Sequence, residues 1–187
     1  MPKVVDIDER RSALIDATSR EIAERGLANV TLRSIARVNG WSTGIVTHYF
    51  ADKHELLMAT FQERADRSRR QIEQAVSGGA ALLDAAVDAA LPLDDERRTD
   101  WRVYLAYMGA AVGEPELDAL LRDRQWRFAD TLADAVRQAV ASRRLVAGLD
   151  PQHEAARLMV VLNGIAIQAV FDPARWGADA QRRVVDD

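Results

Sequence analysis

Residues 31–57 read TLRSIARVNGWSTGIVTHYFADKHELL, and this stretch decides the fold of the first third of the chain. Thr31 precedes an apolar run and is placed to cap a short helix, which an Asn-Gly pair then interrupts. Ser42 is placed to cap a second short helix over residues 43–49, and Asp52 to cap a much longer one. The stretch predicts two short helices joined by a tight turn and followed by a long helix.

Helical patterns continue on both sides of this stretch. Upstream, apolar residues recur at helical spacing from Leu14 to Ala23, and Gly26 is placed to end that helix. Downstream, the long helix extends to residue 76, where Ser77 and two glycines mark a junction. Prolines at first-turn positions help to place the rest, and the further predicted helices cover residues 80–91, 95–112, 115–144, 151–170 and 173–185.

No strand pattern or internal repeat is present, so we expect an all-α protein with a helix-turn-helix head over residues 1–52. A larger helical body over residues 53–187 follows, and helix 53–76 links the two.

Composition narrows the class of protein. The chain has 187 residues, of which 48% are hydrophobic, enough to form a sizeable core. It has no cysteine, which excludes disulfides, thiol nucleophiles and thiolate metal sites. We expect a cytoplasmic protein, because no secretory leader pattern is present and the longest apolar stretches, such as residues 85–93, are interrupted and too short to span a bilayer.

The charge is distributed unevenly along the chain. The net charge is −4, yet residues 1–70 carry 12 Lys and Arg against 10 Asp and Glu, a balance of +2. The remaining residues have 13 and 19, a balance of −6. This asymmetry favours a DNA-binding head on an acidic body.

The second short helix has the side chains expected of a DNA-reading helix. Thr43, Gly44, Thr47 and His48 are small or hydrogen-bonding, so they fit against base edges in the major groove. The small core that holds the two helices at a fixed angle is predicted to be Ile35, Ala36, Ile45, Val46 and Phe50. The alternative is that residues 42–49 only connect two longer helices.

Three segments at fixed spacing resemble the DNA-binding signature of the TetR family. They are Thr31-Leu32-Arg33-Ser34-Ile35-Ala36, Gly40-Trp41-Ser42-Thr43-Gly44-Ile45-Val46-Thr47-His48-Tyr49-Phe50 and Asp52-Lys53-His54-Glu55-Leu56-Leu57. Within that family the recognition segment resembles the BetI type. Asp100-Trp101-Arg102, Pro115-Glu116-Leu117 and Asn163-Gly164-Ile165-Ala166 are similar to landmarks of BetI-type C-terminal domains.

The resemblance implies a role for particular residues of the head. Thr43, Gly44, Thr47 and His48 approach bases, Ser42, Tyr49 and Lys53 hold phosphates, and Thr31 and Arg33 contact the flanking backbone. Two positions depart from the family pattern. Trp41 replaces a smaller aliphatic residue and is interpreted as a plug in the core of the head. Thr47 stands where many relatives have an aromatic residue, which leaves the operator sequence open.

Dimerisation is expected because one short recognition helix gives too little specificity. Two heads must reach successive major grooves of a palindromic operator, ~34–36 Å apart or a multiple of that distance. The resemblance implies that the helices over 115–144 and 151–170 pair with their mates in a four-helix bundle. The second helix has small residues suited to close approach, namely Ala155, Ala156, Val160, Gly164 and Ala166. Packing of this face within the subunit is the alternative.

A row of large side chains suggests where a small-molecule effector binds. Residues on one face of the helix that begins at Asp95 are Trp101, Tyr104, Leu105, Met108 and Val112. Trp126, Phe128, Met159 and Phe171 lie on helices that could face this row. Plain core is the alternative, but the resemblance implies a ligand cavity, and aromatic walls suit an apolar or quaternary ammonium effector. BetI responds to choline, which makes a quaternary ammonium compound one hypothesis.

Other classes of protein fit the sequence less well. The histidines are His48, His54 and His153, and without cysteine or a glycine-rich phosphate loop we expect no enzyme, no metal site and no cofactor. The sequence favours a repressor that an effector releases from DNA. An activator or a multidrug-sensing regulator remains an alternative, and so does a helical interaction protein without DNA binding.

Overall fold

The computed structural model describes residues 7–186, and side chains up to residue 185. Within that range the chain forms nine α-helices and no strand, which confirms the all-α prediction. The helices are α1 (Ile7–Arg25), α2 (Leu32–Val38), α3 (Thr43–Tyr49), α4 (Lys53–Ser77), α5 (Leu82–Ala90), α6 (Asp95–Ala111), α7 (Pro115–Ala141), α8 (Pro151–Phe171) and α9 (Ala178–Asp186). A single 3₁₀ turn, Leu27–Asn29, joins α1 to α2.

Short polar side chains set where the helices of the head begin. Thr31 Oγ1 accepts a hydrogen bond of 3.0 Å from the Ser34 amide, while the Thr31 amide donates to Ser34 Oγ at 3.1 Å, a reciprocal capping box. Asp52 Oδ1 accepts a bond of 2.8 Å from the Glu55 amide and so begins α4. Ser42 stands at the N-cap of α3 as predicted, but its side chain makes no capping hydrogen bond.

Buried apolar residues hold together the head, defined as α1, α2 and α3. Ile35, Ala36, Val46 and Phe50 are buried in it and Ile45 is partly buried, as the sequence predicted. Trp41 packs against the same cluster, in agreement with its interpretation as a plug, and the Arg10 guanidinium lies 5.9 Å from its ring centroid. Gly40 adopts a φ of 66° in the turn between α2 and α3, a conformation that favours glycine.

The body, defined as α5 to α9, is built on α7 and α8, which pack along one another. Helix α4 belongs to both parts, because its first half packs on α1 while its second half packs on α5. One apolar cluster joins the head to α4, α6 and the start of α7. A second cluster lies among α4, α5, α7 and α8, with Ile72, Ala86, Leu91, Leu132 and Leu162 among its buried members.

The structure corrects some predicted helix ends. Helix α9 begins at Ala178 rather than at Pro173, because residues 173–177 form a turn in which the Asp172 carboxylate accepts a hydrogen bond of 3.2 Å from the Arg175 amide. Helix α7 ends at Ala141 rather than at Arg144, because Arg143 has a φ of 61° and cannot continue the helix.

Helix α8 is more apolar than the sequence reading allowed. With 21 residues and a mean hydropathy of 1.4, it is the one helix in the described range that could cross a membrane by length and composition. The expectation that every apolar stretch is too short to span a bilayer was therefore wrong for this segment. One face of α8 is buried against the rest of the body, and residues such as Leu162, Ile165 and Ala166 account for part of its apolar character.

Candidate DNA-binding face and ligand cavity

Helix α3 presents one polar face to solvent. Thr43, Gly44, Thr47 and His48 are all exposed, whereas Val46 on the opposite side is fully buried. These four positions are one, three or four residues apart, so they form one continuous surface on an α-helix. We call these four residues the recognition face. Its side chains are small or hydrogen-bonding, and buried residues of the head fix the helix behind it.

The residues predicted to contact phosphate lie on α2, α3 and α4 or immediately before them, and most of them are exposed. Thr31, Arg33 and Ser42 are exposed at the starts of α2 and α3. Tyr49 is partly buried, and its ring packs edge-on to His48 with centroids 5.2 Å apart. Lys53 Nζ donates a hydrogen bond of 3.3 Å to the Ala28 carbonyl, which ties its cation to the 3₁₀ turn that follows α1. The contacts of these residues with DNA remain predictions.

A cavity of about 640 Å³ opens in the body among α4, α5, α6, α7 and α8. Its volume lies in the range of small-molecule sites, ~300–1,000 Å³. The apolar and aromatic part of the lining includes Phe61, Ile72, Leu82, Trp101, Tyr104, Leu120, Phe128, Met159 and Leu162. The polar part includes Arg64, Arg97, Asp100, Arg124, Gln125 and Asn163. Such a lining suits a ligand with a large apolar part and a polar group.

The cavity contains some of the residues predicted to bind ligand and leaves others outside. Trp101, Tyr104 and Met159 line it, and so does Phe128, which was expected to face the same region. The predicted residues that do not line it are Leu105, Met108 and Trp126. The buried face of α6 is centred on Val103, Tyr104 and Tyr107, which turns Met108 and Val112 towards solvent.

Two other aromatic residues that were expected to face the α6 row, Trp126 on α7 and Phe171 on α8, also lie outside the cavity. Trp126 is 65% exposed and Phe171 is 78% exposed, so neither faces the interior of the subunit. On α7 the side that faces the cavity includes Arg124 and Phe128, and Trp126 lies two residues from each, about 200° around the helix.

Arg124 is a cavity residue that the sequence reading missed. Its guanidinium carbon lies 4.6 Å from the ring centroid of Tyr104 and 5.6 Å from that of Phe61, so it contacts both rings through cation–π interactions. Burial lowers the pKa of the Arg124 guanidinium, although Tyr104 and Asp100 oppose the shift. The group stays a cation at neutral pH, because arginine does not lose its proton in proteins.

A signal for Arg124 was present in the sequence. Leu117, Leu121, Phe128 and Leu132 recur along α7 at helical spacing, and Arg124 occupies the position in the middle of that apolar row. An arginine on an apolar face either reaches out to water or is retained for a buried partner.

A second arginine, Arg64, connects the wall of the cavity to the head. From α4 its Nε donates a hydrogen bond of 2.8 Å to Ser19 Oγ, and its Nη2 donates one of 2.8 Å to Asp16, both on α1. Its Nη1 donates to Asp100 on α6 at 2.7 Å. Burial raises the pKa of the Asp100 carboxyl, and Arg64 and Arg67 oppose that shift.

Tyr107 makes a further contact between α6 and α4. Its hydroxyl donates a hydrogen bond of 2.6 Å to the Leu57 carbonyl, and its ring centroid lies 5.0 Å from that of Phe61. Burial raises the pKa of the Tyr107 hydroxyl far above its ordinary value, so the residue stays a neutral hydrogen-bond donor. Phe61 thereby contacts both the cation of Arg124 and the side chain of Tyr107.

Comparison with known protein families covers most of the chain. Residues 14–60 match the profile of the bacterial regulatory proteins of the TetR family. Residues 79–187 match the C-terminal domain of BetI-type transcriptional repressors. The first match contains the recognition face, and the second contains α6 to α8, which form most of the cavity wall.

Individual relatives agree with the family match along their whole length. The chain is 29% identical to the transcriptional regulator PksA of Bacillus subtilis over 99% of this chain and 90% of that protein. It is 30% identical to BetI of Stenotrophomonas maltophilia, with 98% and 93% covered, and 30% identical to BetI of Paraburkholderia phytofirmans, with 100% and 95% covered.

Solved structures show the same fold. A transcriptional regulator of Saccharomonospora viridis, crystallised in complex with choline, superposes with a TM-score of 0.82 at 23% identity over 96% of this chain and 95% of that one. A TetR-family regulator of a Rhodococcus species gives a TM-score of 0.76 at 25% identity, with 96% of each chain covered. The chain belongs to the TetR family of bacterial transcriptional regulators, with a C-terminal domain of the BetI type.

Proposed function

We propose that the protein is a repressor that binds a palindromic operator as a homodimer and is released by a small-molecule effector. The observation that carries the DNA-binding part is the recognition face, four exposed side chains on a short helix whose other side is buried. In the proposed complex these side chains read base edges, and Thr31, Arg33, Ser42, Tyr49 and Lys53 contact the backbone. Residues 1–52 form the DNA-binding domain, and residues 53–187 bind effector and dimerise.

Selection of bound duplexes from a random-sequence pool tests the DNA-binding proposal. We expect the selected sequences to be palindromic, with half-sites ~10 base pairs apart or a multiple of that spacing, since each half-site meets one head of a two-fold dimer. Enrichment of no sequence would contradict the proposal. A transcriptional reporter behind the selected sequence then separates a repressor from an activator by the sign of its response.

An exposed apolar stripe on α8 supports the dimer. Ala156, Val160, Gly164, Ile167 and Phe171 are all exposed, and their spacing of three or four residues puts them on one side of the helix. Val160 is 73% exposed, an unusual position for a valine on a long helix. Ala155 and Ala166, which were also expected to contribute, are buried within the subunit.

The stripe is narrow and contains two very small residues, so another helix can approach it closely. A second copy of α8, with α7 beside it, would cover the stripe and complete a four-helix bundle. The exposed stripe contributes to the high mean hydropathy of α8. Coverage of the stripe by another protein chain is consistent with a regulator that binds DNA in the cytoplasm. Trp126 on α7 is exposed as well and lies on a helix of the proposed bundle.

Helix α4 is the element through which we propose that the effector acts. Its N-terminal half packs in the head, with Leu56 and Phe61 fully buried, and its C-terminal half lines the cavity through Arg64 and Ile72. An effector that prefers a cavity with a displaced α4 also displaces the head. Release follows when the preferred spacing of the two heads no longer matches the operator.

Two classes of effector fit the lining of the cavity. An apolar molecule fits the aromatic and aliphatic wall, and multidrug sensing would use the same wall. A quaternary ammonium compound is the second candidate, because the regulator of Saccharomonospora viridis was crystallised with choline and because Trp101 and Tyr104 line the cavity. Calorimetric titration with choline and betaine aldehyde tests it, and absence of heat at millimolar ligand would contradict it.

A further inference from the structure

One arginine that lines the cavity, Arg124, forms no ion pair within the described residues. Arg64 is paired with Asp16 and Asp100, and Arg97 with Asp94. The two arginines nearer the solvent, Arg69 and Arg127, are each paired with an aspartate on their own helix. Arg124 is different. Within the described residues its guanidinium forms no hydrogen bond and no ion pair within 4 Å, and the only carboxylate whose charge acts on it is Asp100, which already bonds Arg64.

Two rings contact Arg124 in the cavity wall. Its guanidinium carbon lies over the rings of Tyr104 and Phe61, with centroids 4.6 Å and 5.6 Å away. A guanidinium has five N–H donors, and within the described residues those of Arg124 form no hydrogen bond, so they are available to a ligand. A partly buried cation with unused donors has lost much of its hydration without gaining an acceptor in exchange.

Tyr104 provides a second donor beside this cation. Its hydroxyl oxygen accepts a hydrogen bond of 3.2 Å from Gln125 Nε2, and its own proton has no acceptor in the described part of the chain. Both side chains line the cavity together with Trp101 and Phe128. The arrangement therefore offers a fixed cation and a neutral donor next to an apolar wall.

We propose that the cavity binds an amphipathic carboxylate, whose anionic group pairs with Arg124 and whose apolar part contacts the wall formed by Phe61, Trp101, Phe128 and Met159. A carboxylate fits best because its two oxygens match the planar edge of a guanidinium. The inference rests on the proposed function in one respect, that the bound molecule is the effector. It disfavours a quaternary ammonium ligand, because the face of Tyr104 already binds a cation and a second cation meets repulsion there.

The same arrangement gives the ligand a route to α4. Pairing of a carboxylate with Arg124 draws the guanidinium towards the ligand and weakens its contact with Phe61, a buried residue of α4. Phe61 also packs against Tyr107, so a change at Arg124 reaches the helix that positions the head. Occupancy of the cavity is thereby converted into a shift of α4.

Calorimetric titration of the full-length protein with matched probes tests the proposal. The probes are butyrate, decanoate and phenylacetate, each beside its primary amide and its trimethylammonium counterpart of equal length. We expect at least one carboxylate to bind about ten- to hundredfold more tightly than both counterparts, the effect of a charge-assisted hydrogen bond in a poorly hydrated site. This comparison uses the wild type alone, so it does not depend on the folding of a variant.

Arg124→Met then assigns the preference to one side chain. We expect this variant to bind the carboxylate and its amide equally, whereas Arg122→Met keeps the preference. Arg122 lies on the same helix, is exposed and pairs with Asp118, so it is a matched control. The proposal is wrong if no carboxylate binds, if a trimethylammonium compound binds as tightly, or if the preference survives in Arg124→Met.

Direct binding separates this inference from the proposed function. Fluorescence anisotropy of the same preparation on its selected duplex, without ligand, reports DNA binding independently of the cavity. A protein that binds DNA but prefers cationic probes contradicts the carboxylate inference alone. A protein that prefers carboxylates but binds no DNA contradicts the proposed function and supports the carboxylate inference.

Discussion

The guanidinium of Arg64 donates a hydrogen bond of 2.7 Å to the carboxylate of Asp100, which joins α4 to α6 at the edge of the cavity. The same guanidinium bonds Asp16 and Ser19 on α1. One side chain therefore contacts the head and the wall of the ligand cavity. Because it is 8% exposed, its bonds cannot be replaced by water without opening the packing around it.

Replacement of Arg64 by methionine should destabilise the protein and remove the hydrogen bonds that connect the head to the wall of the cavity. Asp100 loses its bonded partner and Asp16 keeps only its pair with Arg67 at 3.6 Å. Since both carboxylates retain some contact with water, we expect a loss of about 1–3 kcal/mol in the free energy of unfolding. Urea unfolding measures it. Arg69→Met is the control, because its exposed pair with Asp66 on the same helix is worth less than about 1 kcal/mol. Equal losses in the two variants would contradict the role given to Arg64.

The raised pKa of Asp100 predicts how that residue contributes to stability as the pH changes. A carboxyl whose pKa is higher in the folded than in the unfolded chain favours folding when it is protonated. Its contribution is present below the unfolded pKa and is lost as the pH rises through the folded pKa. The stability of the wild type relative to Asp100→Asn should therefore fall between roughly pH 4 and roughly pH 7. Urea unfolding at both pH values measures this difference, and a constant or rising difference would contradict the assigned pKa direction.

The Tyr107 hydroxyl should contribute measurably to the contact between α6 and α4. Tyr107→Phe removes a hydrogen bond of 2.6 Å from a buried site and should lower the free energy of unfolding by about 1 kcal/mol. Tyr104→Phe removes a bond of 3.2 Å beside the open cavity and should cost less. Thermal and urea unfolding of the two variants give the comparison. A larger loss in Tyr104→Phe than in Tyr107→Phe would show that the hydrogen bond to Leu57 is not the stronger of the two.

The recognition face predicts which single changes weaken DNA binding without loss of stability. His48 is exposed, so His48→Ala should leave the melting temperature unchanged while it reduces operator affinity roughly five- to hundredfold, the cost of one base contact. His153→Ala is the matched control, since His153 is also exposed but lies at the start of α8. Anisotropy titrations that show equal affinity for the two variants would remove His48 from the interface.

The α8 stripe predicts a variant that separates the protomers. Val160→Glu places a charge in the middle of the proposed bundle and should shift the protein from dimer to monomer at micromolar concentration in analytical ultracentrifugation. Val112→Glu is the control, because Val112 is 86% exposed but lies outside α7 and α8. A wild type that sediments as a monomer, or a Val160→Glu variant that stays dimeric, would contradict the proposed interface.

The head could be predicted from the sequence almost residue by residue, because its signals are local. Thr31, Asp52 and Gly40 set caps and a turn within four residues of the groups that they satisfy, and helix α3 has the predicted bounds. Family resemblance added the roles of the exposed residues, which remain predictions. The start of α9 was misplaced because a first-turn proline is compatible with a helix but does not require one.

The cavity was harder to predict, since it depends on how five helices meet. Large aromatic residues indicate an interior only where the helix turns them inward, and Trp126 is turned to solvent. The row on α6 was assigned to a different face from the buried one, which is centred on Val103, Tyr104 and Tyr107, and this left Leu105 and Met108 outside the lining. The position of Arg124 in the cavity was not predicted, because it depends on contacts with Tyr104 and Phe61, which lie on two other helices.

Binding of a specific operator by two heads of a dimer can be checked by a salt-dependent anisotropy titration. Wild-type protein is titrated against its selected duplex and a scrambled duplex at about 50 mM and about 200 mM salt. We predict saturation at an even number of protomers per selected duplex, a preference of at least ~10³ over the scrambled one, and a steep loss of affinity at the higher salt. Equal, weak binding to both duplexes with little dependence on salt would show that the head does not bind a specific operator.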